Sequence, residues 1–291
     1  MTDTFENRIK PEVAAVDGLA IRYARGTNRS ADAVLLCSPW PESLFAFLPI
    51  WQTLNRDFAL IAVDLPGFGQ SEGRADLLSP RAMGEFIVRF ADQFGLDHPH
   101  VIAPDVGTPA VLFAAANHPG RFRSLVVGGG ASTFPLQAVG ILKELIEAPS
   151  VEPYKALDPS AVILGSISQI QNYTVPDFVR DDYVASYAGA RFVESMAFVR
   201  NYPADLPVLA ERLREITTPV HIITGRRDPY VPVIDAELLN RQLPNSTLDV
   251  LDCGHFAWEE DAANYGRIAS DWLSGGFRRL TPRERVAGSR S

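Results

Sequence analysis

The sequence predicts an α/β protein: a mostly parallel central sheet flanked by helices, with a helical segment inserted into it. Short apolar runs at 33–38, 58–65, 100–104 and 124–127 are spaced widely enough to leave room for helices between them. Strands that are apolar on both faces are buried on both sides, which is the setting of a parallel sheet covered by helices. The strand pattern stops over 131–215 and resumes with runs at 220–224 and 248–251, so the sheet is interrupted once.

In chain order, 13–26 reads as two short apolar runs around Asp17-Gly18, a dipeptide that supplies positive φ for a tight hairpin turn. Over 81–94, Met83, Phe86, Ile87, Phe90 and Phe94 fall at helical spacing, and 109–117 is a second helix. The inserted stretch reads as helical or irregular and is rich in tyrosine, with Tyr154, Tyr173, Tyr183, Tyr187 and Tyr202. A last helix is predicted over 265–273. The chain therefore divides into a first part of the core (1–130), an inserted domain (131–216), a second part of the core (217–275) and a basic, polar tail (276–291) that is predicted to be mobile.

Composition narrows the function. With 46% hydrophobic and 21% charged residues the chain can bury a sizeable core, which excludes disordered and fibrous classes. Its 27 basic and 35 acidic residues give a net charge of −8, so it is not drawn to nucleic acid or to anionic membranes. There is no long uncharged apolar run, and Asp3, Glu6, Arg8 and Lys10 stand where a signal peptide would need an apolar stretch, so a cytoplasmic protein is predicted. Cys37 and Cys253 are far apart and in no metal-ligand spacing. They are read as reduced thiols, with no metal and no cofactor.

In a parallel sheet ligands gather at the carboxyl ends of the strands. The most informative end is Val101-Ile102-Ala103-Pro104-Asp105-Val106-Gly107-Thr108-Pro109: a strand, then small-x-Asp-x-Gly, then a helix. Small residues around a sharp strand-to-helix turn lift one side chain out at the top of the sheet, here Asp105, where the helix start favours an anion. Asp is also a favoured helix N-cap and Pro109 suits a first helical turn, so capping is the competing reading. Two further strand ends weigh against capping alone. Asp228 follows the next-to-last strand in Gly225-Arg226-Arg227-Asp228-Pro229-Tyr230-Val231-Pro232, and His255 follows the last in Asp252-Cys253-Gly254-His255-Phe256. The order is nucleophile, acid, histidine.

On these motifs the chain resembles the α/β-hydrolase fold over about residues 15–275, and within it the branch with an aspartate nucleophile, the epoxide hydrolases and haloalkane dehalogenases. Asp64-Leu65-Pro66-Gly67-Phe68-Gly69-Gln70-Ser71 is similar to that family's turn before the first core helix. Ser38-Pro39-Trp40-Pro41-Glu42-Ser43 stands where the family usually has His-Gly-x-Pro, and departs from it at Ser38-Pro39. The resemblance implies a helical cap over Asp105, a triad of Asp105, Asp228 and His255, and an oxyanion hole made by the backbone N–H groups of Trp40 and Val106.

An ionised aspartate attacks sp³ carbon without a base, which suits epoxides and haloalkanes. The alkyl ester it forms would be hydrolysed by water that His255 activates. Dehalogenases resembling this chain usually carry Trp after the nucleophile, where this chain has Val106. Epoxide hydrolases use cap tyrosines as donors to the epoxide oxygen, for which Tyr202 is the first candidate and Tyr154 the second. The sequence reading is therefore an epoxide hydrolase acting on a small or medium apolar epoxide. One alternative is a haloalkane dehalogenase using the Trp40 indole as halide donor. The other is a ligand-binding homologue without catalysis.

Overall fold

The computed structural model describes residues 9–29 and 32–280. An eight-stranded sheet runs in the order β1-β2-β4-β3-β5-β6-β7-β8. The opening hairpin pairs β1 (Pro11–Val16) with β2 (Leu19–Arg25) through Asp17 and Gly18, both at positive φ, as the Asp-Gly signal predicts. β2 is antiparallel to β4 (Ala59–Val63). β3 (Ala33–Cys37), β5 (His100–Pro104), β6 (Ser124–Gly128), β7 (Val220–Gly225) and β8 (Ser246–Leu251) complete a parallel body. Every residue of β5, β6 and β7 is buried, which accounts for their unbroken apolar runs.

Strand order and handedness together place the helices. From β3 the chain passes through α1 (Leu48–Asn55) to β4, and from β4 through α2 (Pro80–Gln93) it crosses back past β3 to β5. Right-handed crossovers in opposite directions put α1 and α2 on opposite faces, and α3 (Gly107–Asn117) and α9 (Val233–Gln242) on the face of α2. α10 (Ala262–Leu273) packs on α1, and α2 packs on α3 so closely that a Cβ on Gly84 would lie 2.6 Å from the Ala110 carbonyl oxygen. The reversal of strand order between β3 and β5 opens a crevice at their carboxyl ends. The loop starting at Ser38 and the turn at Asp105 both leave the sheet there.

Between β6 and β7 the chain forms α4 (Gly140–Glu147), α5 (Pro159–Ile167), α6 (Asp177–Ser186), α7 (Arg191–Arg200) and α8 (Tyr202–Arg212), with no strand among the described residues. A charged cluster joins this helical insertion to the core. Arg22 on β2 donates through Nε to Asp64 at 2.5 Å and through both terminal nitrogens to Asp182 on α6, at 2.6 and 2.9 Å. Asp182 also accepts from Ser43 (2.6 Å) and Gln70 (2.8 Å). The tail starts with a 3₁₀ turn, Gly276–Arg279, in which Phe277 stands edge-on to His100 and Trp272. Two buried ring partners offset the entropy of ordering that turn. The remainder of the tail, 281–291, lies outside the described residues.

The Arg22 cluster gives a stability prediction. Arg22→Met leaves two carboxylates with no cation in a buried setting and should lower the unfolding free energy by about 3–5 kcal/mol, read from denaturant midpoints. Arg56→Met, which removes an exposed pair with Asp57, should change it by less than about 1 kcal/mol.

Candidate active site

The turn after β5 is as sharp as its sequence implies. Asp105 has φ 51°, in the left-handed region that residues other than glycine rarely enter. Small neighbours make room for it: a Cβ on Gly130 would lie 2.0 Å from the Asp105 carbonyl oxygen, and one on Gly107 would lie 3.0 Å from the Ala103 Cβ. The Asp105 N–H donates to the Gly128 carbonyl (2.9 Å), and Thr108 ties the turn together through Ala103 and Gly128. The capping reading fails. α3 has no side-chain cap, and the Asp105 carboxylate instead takes the Trp40 N–H on Oδ2 at 2.6 Å.

Burial pushes the Asp105 carboxyl up to about 6, against the pull of the His255 charge and of the backbone N–H groups of Trp40 and Val106. Replacing His-Gly by Ser38-Pro39 has therefore not cost the loop its Trp40 donor. Ser38 is held in place by its N–H to the Val63 carbonyl (2.9 Å) and by its hydroxyl, which accepts from the Leu65 N–H (3.3 Å).

Asp228 and His255 reach the same spot from the ends of β7 and β8. His255 Nδ1 is 2.8 Å from Asp228 Oδ2, while Asp228 Oδ1 accepts the N–H groups of Tyr230 (2.8 Å) and Val231 (2.9 Å). With both carboxylate oxygens so held, the histidine ring is fixed with Nε2 facing Asp105 Oδ1 at 3.8 Å. Glu260 braces the turn by accepting from the Gly254 and Phe256 N–H groups. Burial lowers the proton affinity of His255, but the charges of Asp228 and Asp105 and the hydrogen bond to Asp228 outweigh it, so its pKa is raised.

A cavity of about 420 Å³ opens on these groups. Its wall is mainly apolar, with Trp40, Leu142, Leu145, Val162 and Phe192, and Asp105, His255, Tyr154 and Tyr230 contribute the polar groups that matter for chemistry. Tyr230 stands edge-on to His255 at 4.9 Å. Burial raises its pKa, so the phenol keeps its proton near neutrality.

The sequence-predicted residues divide as follows. Asp105, Asp228, His255 and the N–H groups of Trp40 and Val106 meet at one point, and Tyr154 lines the cavity. Tyr202, the first candidate, is not among the lining residues, though its buried phenol is near enough to Asp105 to feel that charge. The first turns of α8 are fastened to the core by Asn201 on the Leu78 carbonyl and Asp205 on Arg81, and Tyr202 is buried edge-on to Phe198. Tyr230 was missed, although it stands two residues after Asp228 in a motif already singled out.

A second omission is a pair of buried acids. Glu42, two residues after Trp40, lies against Glu259, and both carboxyls are pushed up by burial, Glu259 to about 7. Tyr183 of α6 donates to Glu259 and the Trp258 indole to Glu42. Cys37 and Cys253 are inert by the same physics: burial pushes both thiols up, Cys253 to about 12.

Comparison with known proteins agrees with this architecture. The sequence profile of the alpha/beta hydrolase fold family matches residues 32–145. A 2-hydroxy-6-oxononadienedioate/2-hydroxy-6-oxononatrienedioate hydrolase of Pseudomonas putida is 30% identical in an alignment of 236 positions that covers 76% of this chain and 78% of that one. Among solved structures, a bacterial membrane phospholipase A superposes with a TM-score of 0.79 at 22% identity, covering 94% of this chain and 87% of its own. An epoxide hydrolase of Vigna radiata superposes with 0.76 at 16% identity, covering 92% and 98%. At those identities the structures speak for the fold alone. An identity of 30% sustained over more than three quarters of both chains speaks for descent, and the chain belongs to the alpha/beta hydrolase fold family.

Proposed function

We propose that this hydrolase works through Asp105 as a nucleophile on sp³ carbon, and that its substrate is an epoxide. The observation that carries the reading is the placement of the Asp105 carboxylate. Oδ2 is already seated on the Trp40 N–H at 2.6 Å, while Oδ1 is the oxygen nearer His255, at 3.8 Å, in a carboxyl that lines an apolar cavity.

Attack by Oδ1 on an epoxide carbon breaks the C–O bond and leaves an alkoxide, which takes a proton from a phenol. Tyr230 and Tyr154 line the cavity and fill that role, Tyr230 from beside the histidine. In the ester so formed, a water beside His255 Nε2 gives up a proton to it and attacks Cγ of Asp105. Negative charge then develops on Oδ2, where the Trp40 N–H already points, and the Val106 N–H bonds to the same carboxyl group. Collapse breaks the Cγ–Oδ1 bond, the leaving alkoxide takes the proton held by His255 to complete the diol, and the second proton of the water returns to the phenolate, which restores both the carboxylate and the tyrosine. The helical insertion acts as the cap, since α4, α5 and α7 supply most of the cavity wall away from the sheet.

Halide as the leaving group is less well served. The Trp40 indole N–H is engaged with Ser195 Oγ at 2.9 Å, and Val106 offers no side-chain donor. Acyl substrates fit less well, because Asp105 would form an anhydride with them in place of an ester.

Four outcomes test the reading. Asp105→Asn should stay folded and lose turnover, whereas His255→Gln should accumulate an adduct seen by intact mass and mapped to Asp105; wild-type turnover in Asp105→Asn would overturn the assignment. Alkylation, followed by rapid quench, requires ionised Asp105, so its rate should be level above the carboxyl's pKa of about 6 and fall about tenfold per pH unit below it. Tyr230→Phe should slow that same step by some tens-fold, about 1–3 kcal/mol, with Tyr154→Phe next, while release of halide from haloalkanes with both phenols dispensable would replace epoxide by halide.

A further inference from the structure

A second and larger cavity, of about 1060 Å³, lies between the core loop that follows β4 and the helical insertion. It shares Tyr154 and Leu157 with the cavity at Asp105, so the two abut at those residues. α7 stands between them. It turns Phe192 toward Asp105's cavity and Arg191, Ser195 and Arg200 toward the larger one.

The larger cavity is lined by four cationic side chains, Arg74, Lys155, Arg191 and Arg200, against two carboxylates, Glu72 and Glu194. Arg74 is already paired with Asp17 and Asp76, and Lys155 with Glu152. Arg191 and Arg200 are different. Arg191 donates to the carbonyls of Ser186, Gly69 and Ser71, and Arg200 to those of Leu145 and Ala148. Those bonds fix the guanidinium planes without neutralising them, and among the described residues neither arginine forms an ion pair. Both are half-buried. Arg191 and Arg200 begin and end α7, so each offers an anion a held guanidinium with no ion pair at its own end of the cavity wall, beside the carboxylates of Glu72 and Glu194.

We infer that this cavity binds a carboxylate carried by the substrate, with an apolar linker passing Tyr154 and Leu157 so that the reacting end reaches Asp105. The substrate class is then an epoxide of a medium-chain carboxylic acid, not a neutral epoxide. The identity of the reacting end rests on the function proposed above; the anion site does not.

Titration calorimetry on the full chain separates the two. Octanoate should bind at least about tenfold more tightly than octan-1-ol, and Arg200→Gln should remove most of that difference. Lys155→Gln changes an exposed side chain with little risk to folding, and should reduce the difference by about threefold. In turnover, wild-type protein should favour 7,8-epoxyoctanoate over its methyl ester through KM, and Arg200→Gln should shrink that preference about tenfold with little change in the ratio of kcat values. Equal affinity for octanoate and octan-1-ol in the wild type, or a preference for octanoate that survives both substitutions, would overturn the anion site. Arg200-dependent octanoate binding with neither epoxide turned over would keep the site and overturn the epoxide reading.

Discussion

A carboxylate removed from water stays ionised only where other donors replace the water it has lost, and the site is built around meeting that condition at Asp105. Burial alone would drive this carboxyl toward its neutral form. The Trp40 and Val106 N–H groups and the His255 charge pull the other way, and the balance leaves it at about 6. An anion held so close to its limit is a better nucleophile than one fully solvated, because little hydration has to be shed before it attacks. The positive φ at Asp105 belongs to the same condition, since it turns the side chain toward the loop after β3 and away from the N–H groups of α3 that would otherwise cap it.

Topology explains how donors so remote in sequence converge. The loop after β3 and the turn after β5 are 65 residues apart at the Trp40–Asp105 contact, yet β3 and β5 are neighbours in the sheet because the chain reverses direction there. The acid and the histidine come from the paired strands β7 and β8, whose loops are close enough that a Cβ on Gly225 would lie 1.7 Å from the Gly254 carbonyl oxygen. Each group is thus set by backbone pairing, with side-chain hydrogen bonds adding the final orientation.

What the sequence reveals follows the range of each interaction. Strands buried on both faces announce themselves, and 100–104 matches β5 residue for residue. The Asp17-Gly18 turn, the small residues around Asp105 and the strand-end positions of Asp228 and His255 are likewise local signals. The place of Tyr202 is not legible in this way, because tyrosine content says nothing of which helix face is turned inward; α8 is oriented by Asp205 on Arg81 and Asn201 on Leu78, contacts more than a hundred residues apart in the chain. Glu42 and Glu259 were equally hidden. A glutamate in a loop reads as solvated, and only the packing of Tyr183 and Trp258 around it makes it a buried acid.

The helical insertion does more than close the cavity, because it holds the loop that carries the Trp40 donor at several points. Ser195 of α7 accepts the Trp40 indole N–H, Tyr187 just after α6 donates to the Glu42 carbonyl, and Asp182 of α6 accepts from Ser43. Asp182 in turn is held by Arg22 on β2, so the chain of contacts runs from the sheet through the insertion and back to the loop beside Asp105. A displacement of α6 or α7 would therefore move the Trp40 N–H, not only widen the entrance. The Glu42 and Glu259 pair sits inside this framework, where burial raises the proton affinity of both carboxyls and the Glu259 charge raises that of Glu42 further. Neutralising one of the two carboxyls is what allows both to be buried there, since two unpaired charges at that depth would push the loop away from the position that Asp105 needs.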